Sequence, residues 1–144
     1  MIAVDTNLLV YGHREDSEWH KEALSLITRL AASGNRWTIP WPCLHEFIAI
    51  TTHPRIYNPP TPLKLAFATL TAWNKSPGMS ILGEGPGYLE KLERISIAGK
   101  VAGPKIHDAR IAAICLNHGV KELWSADRDF SRFPSLKVRN PLAG

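Results

Sequence analysis

Short apolar runs alternate with longer stretches in which apolar residues recur every three or four positions, and this alternation limits the possible folds. The runs have the length of strands, whereas the stretches between them have the spacing of helices. Runs of this kind occur at residues 2–4, 36–39, 79–82 and 136–138, and another starts at 123 and ends near 127. Strands that alternate with helices form a mostly parallel sheet with helices on both faces. The sequence therefore predicts an α/β fold around a central sheet of four to five strands.

The predicted helices are bounded by capping residues and by breaks at proline and glycine. Ser17 is expected to cap a helix that ends at Ser33 and Gly34, and Pro42 begins a helix that ends before Pro54. Further helices are predicted at 63–73, 86–97 and 105–118, together with a short helix directly after the first strand. The segment 54–62 contains four prolines, which indicates a rigid loop rather than a domain boundary.

The length and composition fit one globular domain that spans residues 1–144. Apolar residues make up 44% of the chain and charged residues 21%, which is typical of proteins with a packed core. Cys43 and Cys115 lack metal-finger spacing and lie in apolar runs, so buried free thiols are expected. No run reaches the length of about 20 apolar residues that is needed to cross a bilayer. Charged residues occur too near the amino terminus for a secretory signal. We expect a cytoplasmic protein.

Four carboxylates are predicted at the ends of different elements. Asp5 and Asp127 follow strands, and the functional crevice of an open parallel sheet lies outside the carboxyl ends of its strands. Asp108 falls in the first turn of a helix, and Glu46 lies one turn into another. Oxygen ligands in this number suit Mg²⁺ or Mn²⁺, which can acidify an attacking water and neutralise a phosphoryl group. The pattern therefore favours metal-dependent phosphodiester hydrolysis.

Each acid taken alone also has a purely structural interpretation. Asp5 can cap the following helix, and Glu46 can lie on a solvated helix face. Asp108 can complement the dipole of its helix, and Asp127 can be a turn residue. Only the set of four favours a site. The formal net charge of +4 is compatible with a basic rim around that site, which would attract a polyanion.

The four acids lie in four segments of the chain: IAVDTNLLVY, PCLHEFIAI, IHDARIAAICLNHG and LWSADRDFSRFPSL. These segments resemble the acidic motifs of PIN-domain proteins, in order and at the predicted element ends. The resemblance is greatest to the VapC toxins of bacterial toxin–antitoxin pairs. It continues through THPRIYNPPTP, the region around Trp73 and the terminal RNPL, and it therefore covers nearly the whole chain.

The resemblance implies a fold, an activity and partners. The fold is a Rossmann-like α/β/α sandwich, and the activity is that of an endoribonuclease dependent on Mg²⁺ or Mn²⁺. The implied partners are an RNA substrate, a cognate VapB-type antitoxin and a second copy of the chain in a homodimer. The family's catalytic and metal-binding positions match Asp5, Glu46, Asp108 and Asp127. Asn7 and Ser125 match auxiliary polar positions, and Asp129 is either an auxiliary ligand or a turn former.

Basic residues near the motifs are candidates for a phosphate-binding rim, because phosphate contacts orient a strand without reading its sequence. Each of them can equally be a solvated surface charge. The candidates are Arg55, Lys64, Arg110, Arg128 and Arg132.

Several aromatic residues could stack on bases, but aromatics at helical spacing are more often core or interface residues, and we favour a protein interface. They are Trp19, Trp41, Phe47, Phe67 and Trp73. An antitoxin segment is expected to place an arginine against Asp5 and Asp108, with apolar anchors near Trp19, Trp41 or Phe47. The histidines beside the motifs, His13, His45 and His107, are expected to form surface hydrogen bonds rather than to act in catalysis.

Two other classes of function fit the same residues. A phosphatase or a FEN-like DNA nuclease would use the same metal chemistry, and a non-catalytic nucleic-acid-binding module would keep the fold. The complete acidic set counts against the binding module. Cleavage of RNA compared with DNA would separate the two kinds of nuclease.

Overall fold

Five parallel strands form the central sheet of the computed structural model, which describes residues 1–143. The strand order is β3-β2-β1-β4-β5, and every neighbouring pair runs in the same direction. The strands are β1 (Ile2–Val4), β2 (Trp37–Pro40), β3 (Met79–Leu82), β4 (Glu122–Trp124) and β5 (Val138–Arg139). The predicted α/β fold with a parallel sheet is therefore confirmed.

Helices connect consecutive strands and cover the sheet. They are α1 (Thr6–His13), α2 (His20–Ala32), α3 (Trp41–Thr51), α4 (Leu63–Asn74), α5 (Tyr88–Ala98) and α6 (Ile106–Asn117), with short 3-10 helices at Gly103–Lys105 and Arg128–Arg132. Helix α1 contacts α2 and α3, α3 contacts α4, and α5 contacts α6. Because parallel connections are right-handed and the chain reverses direction across the sheet after β3, the two groups lie on opposite faces. The result is a three-layer α/β/α arrangement.

The predicted capping residue of α2 is wrong, and the predicted last strand is present but begins two residues later than expected. Ser17 Oγ accepts a hydrogen bond from the Trp19 N–H in the turn that precedes α2, and the helix begins at His20 without a side-chain cap. The last strand is Val138–Arg139, because the Leu136 N–H donates to the Phe133 carbonyl and so belongs to a turn. Helices α5 and α6 begin within two residues of the predicted starts, a difference usual for helix ends.

The core lies where the central strands meet the helices on both faces. Ala3, Ile39 and Leu123 on β1, β2 and β4 are fully buried, as expected for strands covered on both sides. Cys43 and Cys115 are also buried free thiols, which confirms that prediction. No helix in the part of the chain that the structure describes is long and apolar enough to span a bilayer.

Candidate active site

The carboxyl ends of β1 and β4 form the point where the strand order changes direction. The chain builds outward from β1 through β2 to β3 and then returns to the other side of β1 as β4. Ligands of open α/β sheets bind outside the strand ends at such a point. Asp5 directly follows β1 and Ser125 directly follows β4, and the Asp5 N–H donates to the Trp124 carbonyl at 2.9 Å. The topology therefore brings the first and fourth acidic motifs together.

Asp5 is the centre of a buried polar network. Its side chain is only 4% exposed. Oδ1 accepts hydrogen bonds from the Thr6 N–H at 2.8 Å and from the Cys43 thiol at 3.4 Å. Oδ2 accepts from Ser125 Oγ at 2.6 Å and from Asn7 Nδ2 at 3.4 Å. Asp5 thus caps α1, as its structural interpretation predicts, and it also joins three segments of the chain.

Asn7 and Ser125 hold the loop that carries the fourth motif. Asn7 Nδ2 donates to Ser125 Oγ at 3.3 Å, and Asn7 Oδ1 accepts from the Ala126 N–H at 3.2 Å. Ser125 Oγ in turn accepts from the Asp127 N–H at 3.0 Å. The backbone before Asp127 is therefore fixed by the two polar residues that follow Asp5 and β4.

Glu46 lies beside Asp5 through a shared neighbour. Thr6 Oγ1 donates to Glu46 Oε2 at 2.7 Å, while the Thr6 N–H donates to Asp5. Glu46 is partly buried, so α3 does not turn it outward on a fully solvated face. Sequence reasoning missed Thr6, although its place directly after the first aspartate was a usable signal.

A second group of acids contains Asp108, Asp127 and Asp129. Each is partly buried and presents one carboxylate oxygen, and these oxygens lie within 4.8 Å of one another. Asp127 Oδ1 accepts from the Asp129 N–H at 2.8 Å and so caps the 3-10 helix, as its turn interpretation predicts. Three hard oxygen donors at this separation fit Mg²⁺ or Mn²⁺. Asp5 and Glu46 do not belong to this close group.

Lys105, a residue that the sequence analysis missed, contacts the group of acids. Its ammonium bonds to the Asp129 carboxylate and lies 3.9 Å from Asp108 Oδ2. Lys105 ends a 3-10 helix and immediately precedes α6, three residues before Asp108. The three-residue spacing between Lys105 and Asp108 could have indicated this contact, because residues three apart lie on one face of a helix. The lysine supplies one positive charge to a group of three carboxylates.

Burial and mutual repulsion perturb the acids of the site. Burial raises the pKa of Asp5 to about 6, although hydrogen bonds from Ser125 and Thr6 oppose the shift and the Glu46 charge adds to it. Burial also raises the pKa of Asp108, and the Asp127 charge raises it further. By contrast, the hydrogen bond from Lys105 lowers the pKa of Asp129. A bound cation would favour the ionised form of Asp5 and Asp108, the two carboxylates whose pKa is raised.

The basic candidates lie in two different places. Arg110, Arg128 and Arg132 are on elements that carry the acids, whereas Arg55 and Lys64 lie beyond the far end of α3. Arg110 Nε donates to Glu84 Oε1 at 2.8 Å, and Arg132 donates to the Gly99 carbonyl at 3.3 Å. Arg128 is exposed next to Asp127.

The aromatic candidates also divide into two groups. Phe47 is fully buried and contacts the rings of His13 and Trp73 edge-on, so the expectation of a partner contact at Phe47 is wrong. Trp19 and Trp41 are 40% and 41% exposed. His13 forms a hydrogen bond with Thr61 Oγ1 at 3.0 Å, as expected for a histidine without a catalytic role.

Comparisons with known proteins agree with this architecture. The PIN-domain family model matches residues 2–136. Ribonuclease VapC25 of Mycobacterium tuberculosis is 33% identical over 143 residues, which are 99% of this chain and 100% of that protein. Ribonuclease VapC48 of the same species is 27% identical over 140 residues, 97% of each chain.

One solved structure supports the fold independently. The crystal structure of VapBC2 from Rickettsia felis, bound to a DNA fragment from the promoter, aligns with a TM-score of 0.67 at 17% identity. The alignment covers 96% of this chain and 98% of the other. At that identity the likeness concerns the fold alone. The matched family model and the relatives of equal length together show that this chain belongs to the PIN-domain family, within its VapC group.

Proposed function

We propose that the chain is a magnesium- or manganese-dependent endoribonuclease and the toxin of a VapBC-type pair. The observation that carries the proposal is the close group of Asp108, Asp127 and Asp129 beside the Asp5 network. The group lies at the switch point of the sheet, where a ligand of this fold is expected. The VapC relatives are named ribonucleases, which supports RNA as the substrate.

In this proposal Asp5, Glu46, Asp108 and Asp127 form the catalytic and metal-binding quartet. Asp129 is an additional ligand, because its carboxylate lies with those of Asp108 and Asp127. A bound divalent ion would supply a water of lowered pKa and would neutralise charge on the phosphoryl group.

The chain's own residues prepare the site for that chemistry. The bond from Thr6 Oγ1 to Glu46 Oε2 holds the Glu46 carboxylate next to the Asp5 network. Asp5 holds Ser125 and Asn7, which set the position of Asp127. A fixed set of groups that needs no rearrangement during the reaction favours the transition state.

Substrate and partners follow from charge and from exposed aromatic surface. Arg128 and Arg132 are proposed to bind RNA phosphates beside the acids. Arg110 would join them once its bond to Glu84 is broken. Arg55 and Lys64 are proposed to bind a more distant part of the strand. A VapB-type antitoxin is proposed to anchor near Trp19 and to place an arginine at Asp5 and Asp108. A homodimer of single-domain subunits in the cytoplasm completes the proposal.

The direct test compares RNA with DNA. Purified chain is incubated with labelled single-stranded RNA and DNA of one sequence, with Mg²⁺, Mn²⁺ or EDTA. We expect metal-dependent internal cleavage of RNA, lost in Asp108→Asn and retained in the exposed Asp16→Asn control. Cleavage of DNA alone would favour the FEN-like alternative, release of phosphate from a monoester would favour a phosphatase, and binding of RNA without cleavage would favour the non-catalytic module.

A further inference from the structure

An exposed aromatic pair lies at the same edge of the sheet as the acids. Trp41 begins α3 directly after β2, and 41% of the residue is exposed. His45 lies one helical turn further on. Their ring centroids are 5.9 Å apart and their planes differ by 29°, so the two rings are stacked. Trp41 and His45 therefore form a two-ring stack at the start of α3, the aromatic platform, and a third ring can add to the outer face of the indole.

The platform is held in a fixed orientation by the neighbouring strand end. Gly83 directly follows β3, and a Cβ atom at this position would lie 3.0 Å from Trp41 Cδ1. The edge of the indole therefore rests against the backbone of Gly83. A ring fixed before binding loses little rotational freedom when a ligand stacks on it, which increases affinity.

The register of the sheet places the platform next to Asp5. Ile2 pairs with Trp37 and Ala3 with Thr38, so Asp5 lies opposite Pro40, the residue before Trp41. Neighbouring strands are about 4.8 Å apart. Helix α3 also carries Glu46, whose carboxylate turns toward Thr6 and Asp5. A strand with its phosphate at the acids would therefore bring an adjacent base over the indole.

We propose that an unpaired RNA base one nucleotide from the cleaved phosphate stacks on the indole of Trp41, with the His45 ring supporting the opposite face of that indole. This inference rests on the proposed ribonuclease function. Recognition of single-stranded RNA depends on bases stacked on aromatic side chains. Exposure alone does not identify the ligand, because Trp19, which we assign to the protein partner, is as exposed as Trp41. Trp19 precedes α2, in another part of the fold. Of the two tryptophans, Trp41 is the one adjacent to the acids in the sheet register, and this favours a base of the substrate as its ligand.

The experiment uses Trp41→Ala, Trp41→Phe and His45→Ala, with Trp19→Ala as the matched control of equal exposure. Cleavage of a single-stranded RNA is followed, and binding of the same RNA is measured by anisotropy in an Asp108→Asn background. We expect kcat/KM and RNA affinity to fall about 5- to 100-fold in Trp41→Ala, less in His45→Ala and little in Trp41→Phe. Trp19→Ala should match the parent, and melting temperatures should show that every variant is folded.

The outcomes separate this inference from the function on which it rests. Unchanged RNA affinity and kcat/KM in Trp41→Ala, with active parent enzyme, would overturn the platform alone. Weakened binding of a protein partner with unchanged RNA affinity would assign Trp41 to an interface and would also overturn it. A parent protein that binds RNA but does not cleave it would overturn the ribonuclease function, and the anisotropy comparison would still decide the platform.

Discussion

Replacement of Asp5 by asparagine should stabilise the metal-free protein at neutral pH. The folded state raises the pKa of this buried carboxyl from 3.8 to about 6. A shift of that size corresponds to about 3 kcal/mol of destabilisation when the group is ionised. The introduced amide keeps an oxygen for the Thr6 N–H, but its nitrogen cannot accept the bond from Ser125 Oγ or the bond from Asn7 Nδ2. The two lost bonds cost about 2 kcal/mol together, which leaves a net gain of about 1 kcal/mol.

The raised pKa of Asp5 also determines the sign of the pH dependence. Because the folded protein holds the Asp5 proton more tightly than the unfolded chain, the wild type should lose stability as pH rises from about 4 to about 6. Above that window the full destabilisation is present. In Asp5→Asn this loss should be absent, so the variant should be the more stable protein at pH 7 and the less stable one near pH 4.

Urea unfolding in EDTA at pH 4, 5, 6 and 7 measures these differences. The control is Asp16→Asn, since Asp16 is exposed and its hydrogen bond from Arg14 lowers its pKa, which gives the opposite sign. A variant Asp5→Asn that is less stable than wild type at pH 7, with the same pH dependence, would refute this prediction. The carboxylate would then serve mainly as a structural cap.

The remaining predictions concern the bound metal ion and Lys105, whose ammonium competes with that ion for the carboxylates. At a concentration 100 times its dissociation constant, Mg²⁺ should stabilise the wild type by about 2.7 kcal/mol and should stabilise Asp108→Asn much less. Melting curves with and without Mg²⁺ measure this, and equal shifts would place the ion elsewhere. Lys105→Met should bind Mg²⁺ about 2- to 5-fold more tightly, because the ammonium no longer competes for Asp108 and Asp129. Calorimetric titration with Lys64→Met as control measures the affinity, and weaker binding in Lys105→Met would show that Lys105 supports the site instead.

The sequence by itself determined the class of the fold and the position of each acid along the chain. Alternating apolar runs and helical stretches specify strands and helices locally, and the connections then allow few arrangements. Asp5 could be assigned to a strand end because a charged residue terminates an apolar run, whereas the predicted strand end at Asp127 is wrong, since β4 ends at Trp124 and Asp127 caps the following 3-10 helix. Asp108 could be assigned to a first helical turn for the same local reason.

Only the tertiary structure decided which side chains meet. Ser125 donates to Asp5 from a position 120 residues away, and no local pattern encodes such a bond. Asp129, rather than Asp5, lies with Asp108 and Asp127, because the 3-10 helix turns its carboxylate toward α6. Phe47 and Trp41 share one helix and similar chemistry, yet one is buried and the other exposed. Periodicity identifies a possible face of a helix, whereas burial depends on the elements that pack against that face.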